Sequence, residues 1–118
     1  MASIIDPESA KSLIKEYQQQ NASDGGPALK TPEGQNLTGY FIDRQSLETM
    51  LSNPNVTGVS LHLAKHPDFK GSQSHHFTML AAGAEPNTAA NATTPLVNSG
   101  DVYGNFPYCP PWCATVGK

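Results

Sequence analysis

This chain is short of charge, of apolar residues, of cysteine and of long hydrophobic runs, and each shortage narrows what it can be. Charged residues make up 14% of it and apolar residues 37%, both below the usual share of a globular protein. Gly, Pro, Ser, Thr, Asn and Gln take their place, a composition that favours long loops around a small core. The net charge is −3 and no basic stripe is visible, so a nucleic-acid partner is not expected. No apolar run approaches the roughly 20 residues that cross a bilayer. The opening Met-Ala-Ser-Ile-Ile-Asp-Pro has no basic n-region and no apolar h-region, so no secretory signal is read; the expectation is a soluble cytoplasmic protein with reduced thiols. Also missing are Gly-x-Ser-x-Gly, a phosphate-cradling glycine loop before a helix, and paired carboxylates at helical spacing. An enzyme is therefore not the expected class.

What is present is enough for one domain. A chain of 118 residues can bury one modest core without staples. The stretch Thr38–Ala64 organises it, reading as strand, short helix, strand. Before it, Asp6, Pro7 and Glu8 make a helix start, and Ala10, Leu13, Ile14 and Tyr17 share one face, which predicts a helix over 7–20. Residues 21–37, broken by Gly25-Gly26-Pro27 and Pro32-Glu33-Gly34, read as a long polar loop, mobile or functional.

Tyr40-Phe41-Ile42 predicts a short strand. Asp43 caps a helix whose apolar side is Leu47, Met50 and Leu51, ended by Asn53-Pro54. Val56 to Ala64 alternates: Thr57, Val59, Leu61 and Leu63 on one face, Ser60, His62 and Ala64 on the other. Gly58 reads as a bulge or a close backbone approach. His76 to Ala82 predicts a second strand, antiparallel to the first. Residues 83–100 read as a second long loop with a brief edge strand at Pro95-Leu96-Val97, and residues 101–118 as a C-terminal tail. The expected fold class is α+β: a small, mainly antiparallel sheet with two helices packed on one face, long polar loops and an aromatic, cysteine-bearing tail. The Tyr40 strand would run parallel to the Val56 strand through a short crossover.

The residues that look chemically deliberate are Cys109 and Cys113, separated by Pro110, Pro111 and Trp112. In a polyproline path the two would stand about 12 Å apart, beyond the about 4.4–6.8 Å between the Cα atoms of a disulfide. The thiols meet only if the chain turns, through Pro111 in a turn over Pro110 to Cys113 or through a cis Xaa–Pro bond. Four readings stay open. One is a local disulfide. A second is half of a zinc site completed by His62 and His76, which share a strand face. A third is a redox dithiol, against which the prolines and the spacing, longer than Cys-x-x-Cys, both argue. The fourth is a docking tail whose Tyr103, Phe106, Tyr108 and Trp112 make contacts while the cysteines act as small buried hydrophobes.

The Phe41–Leu63 core together with Cys109-Pro-Pro-Trp-Cys113 resembles a family of small uncharacterised bacterial proteins. In that family an aromatic strand, a helix and a Gly-[Val/Ile] strand are followed by a hairpin strand and a closing Cys-Pro-Pro-x-Cys. The resemblance implies the fold and the importance of the tail, and it supplies no mechanism. Ser60 and His62 stand where the family carries an Arg and an aromatic. The expected function is that of a non-enzymatic interaction or accessory protein, working on another protein through the Tyr103–Cys113 segment. The alternative is a metal- or thiol-binding protein using Cys109 and Cys113, with His62 and His76.

Overall fold

The order of elements follows from where helix and strand signals stop. A computed structural model describes residues 2–22, 29–91 and 93–115; Gly25-Gly26-Pro27 lies outside them. Helix α1 is Pro7–Ala22 and helix α2 is Arg44–Met50. The strands are β1 (Gly39–Tyr40), β2 (Gly58–Lys65), β3 (Phe77–Pro86), β4 (Leu96–Tyr103) and β5 (Tyr108–Cys109). They form a three-stranded antiparallel sheet in the order β2-β3-β4 and a two-stranded antiparallel ribbon of β1 and β5. The α+β class and the mainly antiparallel pairing are as expected.

Both helices begin where the caps predict. The Asp6 carboxylate accepts from the Ser9 amide at 3.1 Å, and the Asp43 carboxylate accepts from the Ser46 amide at 2.9 Å and the Ser46 hydroxyl at 2.7 Å, so each satisfies donors that a helix start leaves orphaned. Helix α2 presses Met50 into the core with Met79, Ala81 and Phe106, and Tyr40, Ile42, Leu47, Val59 and Tyr103 pack around them. Burying a Met or Phe side chain stabilises a fold by about 1.5–3 kcal/mol, so this small cluster is central to its stability.

Helix α1 uses less of its apolar stripe. Leu13 remains 60% exposed. The helix is tied at its C-terminal half: the Tyr17 hydroxyl donates to the Leu37 carbonyl at 2.8 Å. Buried Asn21 accepts from the Leu29 amide at 2.8 Å and donates to the Leu29 and Leu37 carbonyls at 3.3 Å. The described part of the expected loop, residues 29–37, is a closed turn. Lys30 bridges Asn36, Leu37 N–H donates to Leu29 O at 2.9 Å, and Thr31 and Leu37 are buried.

Three expectations are corrected. While Leu96 and Val97 of the expected edge strand open β4, residues 83–86 and 98–100, expected within a loop, belong to β3 and β4. Their polar, small residues gave no alternation, yet β3 is the central strand, and Ala81, Ala82 and Ala84 are buried between neighbours. The register steps from Ala82↔Val102 to Gly83↔Ser99. Gly100, at φ 77°, absorbs that bulge in a conformation glycine adopts without strain. Second, β1 pairs antiparallel with β5, not parallel with β2. Its partner lies some 70 positions away, beyond reach of local pattern. Third, the β2 face expected to lie under the helices with Val59 and Leu61 is covered only in part: Leu61 is 56% exposed, and Leu63 on the same face 84%, because β2 is an edge strand with little above it.

Candidate functional site: the clipped aromatic loop

The β1–β5 ribbon fixes where the tail goes. Gly39 pairs with Cys109 and Tyr40 with Tyr108. On either side Thr38 N–H donates to Cys109 O at 2.9 Å and Phe41 N–H to Pro107 O at 2.8 Å. The strand thus delivers Cys109 at a defined place, and Pro110 and Pro111 end it. Both X–Pro bonds here are cis. Trp112 N–H returns to Tyr108 O at 3.1 Å and Cys113 N–H to Pro111 O at 2.9 Å. This turn brings the Cα atoms of Cys109 and Cys113 to 4.9 Å, and the two are joined in a disulfide. The expectation of reduced thiols is reversed in this structure, as is the picture of two small buried hydrophobes: Cys113 is exposed.

The turn carries Trp112 over Phe41. Their ring centroids are 5.7 Å apart at an interplanar angle of 30°, inside the range in which aromatic pairs attract. Yet Trp112 is 59% and Phe41 44% exposed. On one side lies an open groove of about 400 Å³ walled by Phe41, Pro111, Trp112, Cys113 and Ala114. On the other lies a groove of about 600 Å³ walled by Glu33, Gln35, Tyr108, Pro110 and Trp112 among others. The Tyr108 hydroxyl donates to the Glu33 carboxylate, with oxygens at 2.7 and 2.6 Å. That bond, then burial and the negative charge itself, raises the Tyr108 pKa above its ordinary value.

The sequence-predicted contact residues separate into two kinds. Phe106 is 4% exposed and Tyr103 packs on the same cluster; both are core residues. Tyr108 is half-buried and braced by Glu33, and Trp112 projects outward. Phe41, Glu33 and Thr38 were not singled out in sequence. They reach the tail only through the β1–β5 pairing and the ordered 29–37 turn, for which no local signal exists.

His62 and His76 converge neither on the cysteines nor on each other. His62 stands opposite Leu80 in the β2–β3 register and its Nε2 contacts the Ser60 hydroxyl at 2.9 Å. His76 lies further along, where its carbonyl accepts from His66 N–H at 2.9 Å. The expected opposition of His62 and His76 is thus replaced by that of His66 and His76. His76 stacks on Phe69, centroids 3.7 Å apart and 5° between planes, and His66 meets the edge of the same ring at 5.7 Å. His76 Nδ1 is buried without a hydrogen-bond partner among the described residues. Those residues contain no group of three or more His, Cys, Asp or Glu placed to hold a metal ion. None of their helices is long and apolar enough to cross a membrane.

Compared with protein-family models, with curated proteins and with solved structures, the chain matches none.

Proposed function

We propose that this chain is a non-enzymatic interaction protein whose working surface is the disulfide-clipped loop Tyr108–Cys113 together with Phe41. The observation that supports it most is the Trp112–Phe41 pair, two large aromatics held in mutual contact with about half of their surface still open to solvent. Tryptophan and tyrosine are enriched among residues that dominate protein interfaces. A rigid, prearranged aromatic also loses little entropy on binding. The β1–β5 ribbon and the disulfide supply that rigidity. Two grooves flank the indole, one apolar and one edged by Glu33 and Gln35, so a partner segment can lie across it with apolar contacts at its centre and polar contacts at the rim.

The test compares wild type with Trp112→Ala and Phe41→Ala in affinity capture, followed by titration of each captured protein against Trp112 emission. Both variants are expected to keep the circular dichroism spectrum and melting temperature close to wild type while losing the partner. Capture of the same proteins, with equal affinity, by all three chains refutes the reading.

A further inference from the structure

The two sulfurs of the clip are not equivalent. Cys109 belongs to β5 and is half-buried; Thr38 lies against it with its hydroxyl oxygen 2.9 Å from Sγ and 3.1 Å from the Cys109 carbonyl oxygen. That carbonyl already accepts the Thr38 amide at 2.9 Å. The single hydroxyl proton of Thr38 has both the sulfur and the carbonyl within reach, with the sulfur the nearer, and a thiolate there is the stronger acceptor. Cys113 lies past the turn, exposed, in the wall of the 400 Å³ groove.

We propose that the Cys109–Cys113 disulfide is a thiol–disulfide exchange site of fixed polarity, in which a thiolate entering the Phe41–Trp112 groove attacks Cys113 and Cys109 departs. In the first step a thiolate RS⁻ forms an S–S bond to Cys113 Sγ. The Cys109–Cys113 bond breaks, and its electron pair leaves on Cys109 as a thiolate. In the second step another thiolate attacks the R sulfur of the mixed disulfide, giving RSSR and a Cys113 thiolate. Two thiols are oxidised by two electrons, the protein disulfide is reduced to a dithiol, and no other oxidant is needed.

Polarity follows from how each sulfur is held. Exchange is faster when the attacked sulfur is accessible and when the leaving thiolate is stabilised. Cys113 meets the first condition. Cys109 meets the second, because a hydrogen bond to a charged acceptor is roughly twice as strong as to a neutral one, and the Thr38 hydroxyl is already in place. The groove walls also name the substrate class. Phe41, Pro111, Trp112 and Ala114 carry no ionisable group, which fits a cysteine set among apolar residues of a polypeptide better than a small charged thiol. The clip also holds Trp112, the one tryptophan of the chain, so opening it changes the indole environment and makes the reaction visible in emission.

The experiment exposes the oxidised full-length protein briefly to glutathione, or to a short neutral peptide bearing one cysteine between apolar residues. Free thiols are then trapped by alkylation at acidic pH, and the adduct is located by tandem mass spectrometry. The expected result is the mixed disulfide on Cys113 and the alkyl group on Cys109, by about tenfold over the reverse, with the peptide reacting several-fold faster than glutathione. Thr38→Val, which removes only the hydroxyl, should slow the change in Trp112 emission about five- to tenfold, and Thr38→Ser should restore it. Adducts shared equally between the cysteines, or found on Cys109, overturn the polarity. Equal rates for the two thiols overturn the substrate class. A Thr38→Val chain with the wild-type rate overturns the part given to the hydroxyl. Should Thr38→Val fail to fold, the wild-type adduct position decides alone.

Discussion

Replacing Gly83 by alanine tests the packing of helix α2 on the sheet at one atom. Gly83 lies in the central strand β3, opposite Val59 on one side and Ser99 on the other. A Cβ built there falls 2.6 Å from the carbonyl oxygen of Met50, with the two Val56 methyls at 3.2 and 3.3 Å. Ordinary contact begins near 3.4 Å, so the end of α2 must retreat by roughly 0.8 Å. The obstacle is backbone, so no rotamer change relieves it. The retreat would lift Met50, 5% exposed, out of its contacts with Met79 and Phe106. Overpacking of this kind costs about 1–3 kcal/mol. The stiffer unfolded chain of an alanine variant offsets about 0.4–1 kcal/mol of it. A net destabilisation of about 1–2 kcal/mol lowers Tm by about 4–8 °C for a domain of this size. Gly58→Ala is the control: it is also a strand glycine, in the adjoining strand, but nothing lies within 4 Å of its Cβ position. Its Tm should stay within about 2 °C of wild type or rise slightly. Thermal melts by circular dichroism read both, and amide exchange should show faster opening at Met50 and Leu51 in Gly83→Ala alone. Two variants of equal stability would refute the close approach of α2 to β3.

Other perturbations separate core from surface. Phe106→Ala should destabilise by about 3–5 kcal/mol in urea melts, as expected for a buried aromatic, whereas Trp112→Ala should cost under about 1 kcal/mol because the indole is mostly open; the reverse order would refute the division between them. Asn21→Ala, which leaves the Leu29 amide without its partner and takes one of two donors from the Leu29 and Leu37 carbonyls, should cost about 2 kcal/mol and, in native-state proteolysis, loosen α1 before the sheet; unchanged protection of α1 would refute that tie. The Asp43 carboxyl is held below its ordinary 3.8 by the Ser46 hydroxyl first and the Ser46 amide second. Its contribution is therefore present above that value and lost as pH falls through the depressed folded one. Asp43→Asn keeps a capping oxygen without the charge, so its Tm should lie below wild type at neutral pH and converge with it under acid. A gap that does not close on acidification would refute the linkage.

Much of the local structure was legible because its signals are local. The Asp6 and Asp43 caps, the lengths of the two helices and the β2–β3 hairpin all rest on residues within a turn or a pleat of each other. The misreadings share one cause. A glycine's space is set by what packs on it: Gly58, which reads as a bulge or a close approach, is open, and Gly83, which reads as the start of a loop, is the one a carbonyl covers. Likewise Leu61 and Leu63 carry a core pattern but lie on an edge strand, while Ala84, which reads as loop, is buried in the central strand beside Ala81 and Ala82. Strand order, which alternation does not encode, decides which face of which strand is covered.

The candidate site divides the same way. The sequence by itself determined that Cys109 and Cys113 need a turn to meet and supplied the prolines that end β5. It also placed a single tryptophan inside that turn. Only the tertiary structure decided that the loop lies against Phe41, that Thr38 contacts one sulfur and leaves the other open, and that His62 and His76 stay apart. The physical reason for the histidines is the β2–β3 register, and for the loop it is the pairing of β1 with β5 across the length of the chain. It is a long-range closure whose two strands are only two residues each, too short to announce themselves, and it alone sets what the tail touches.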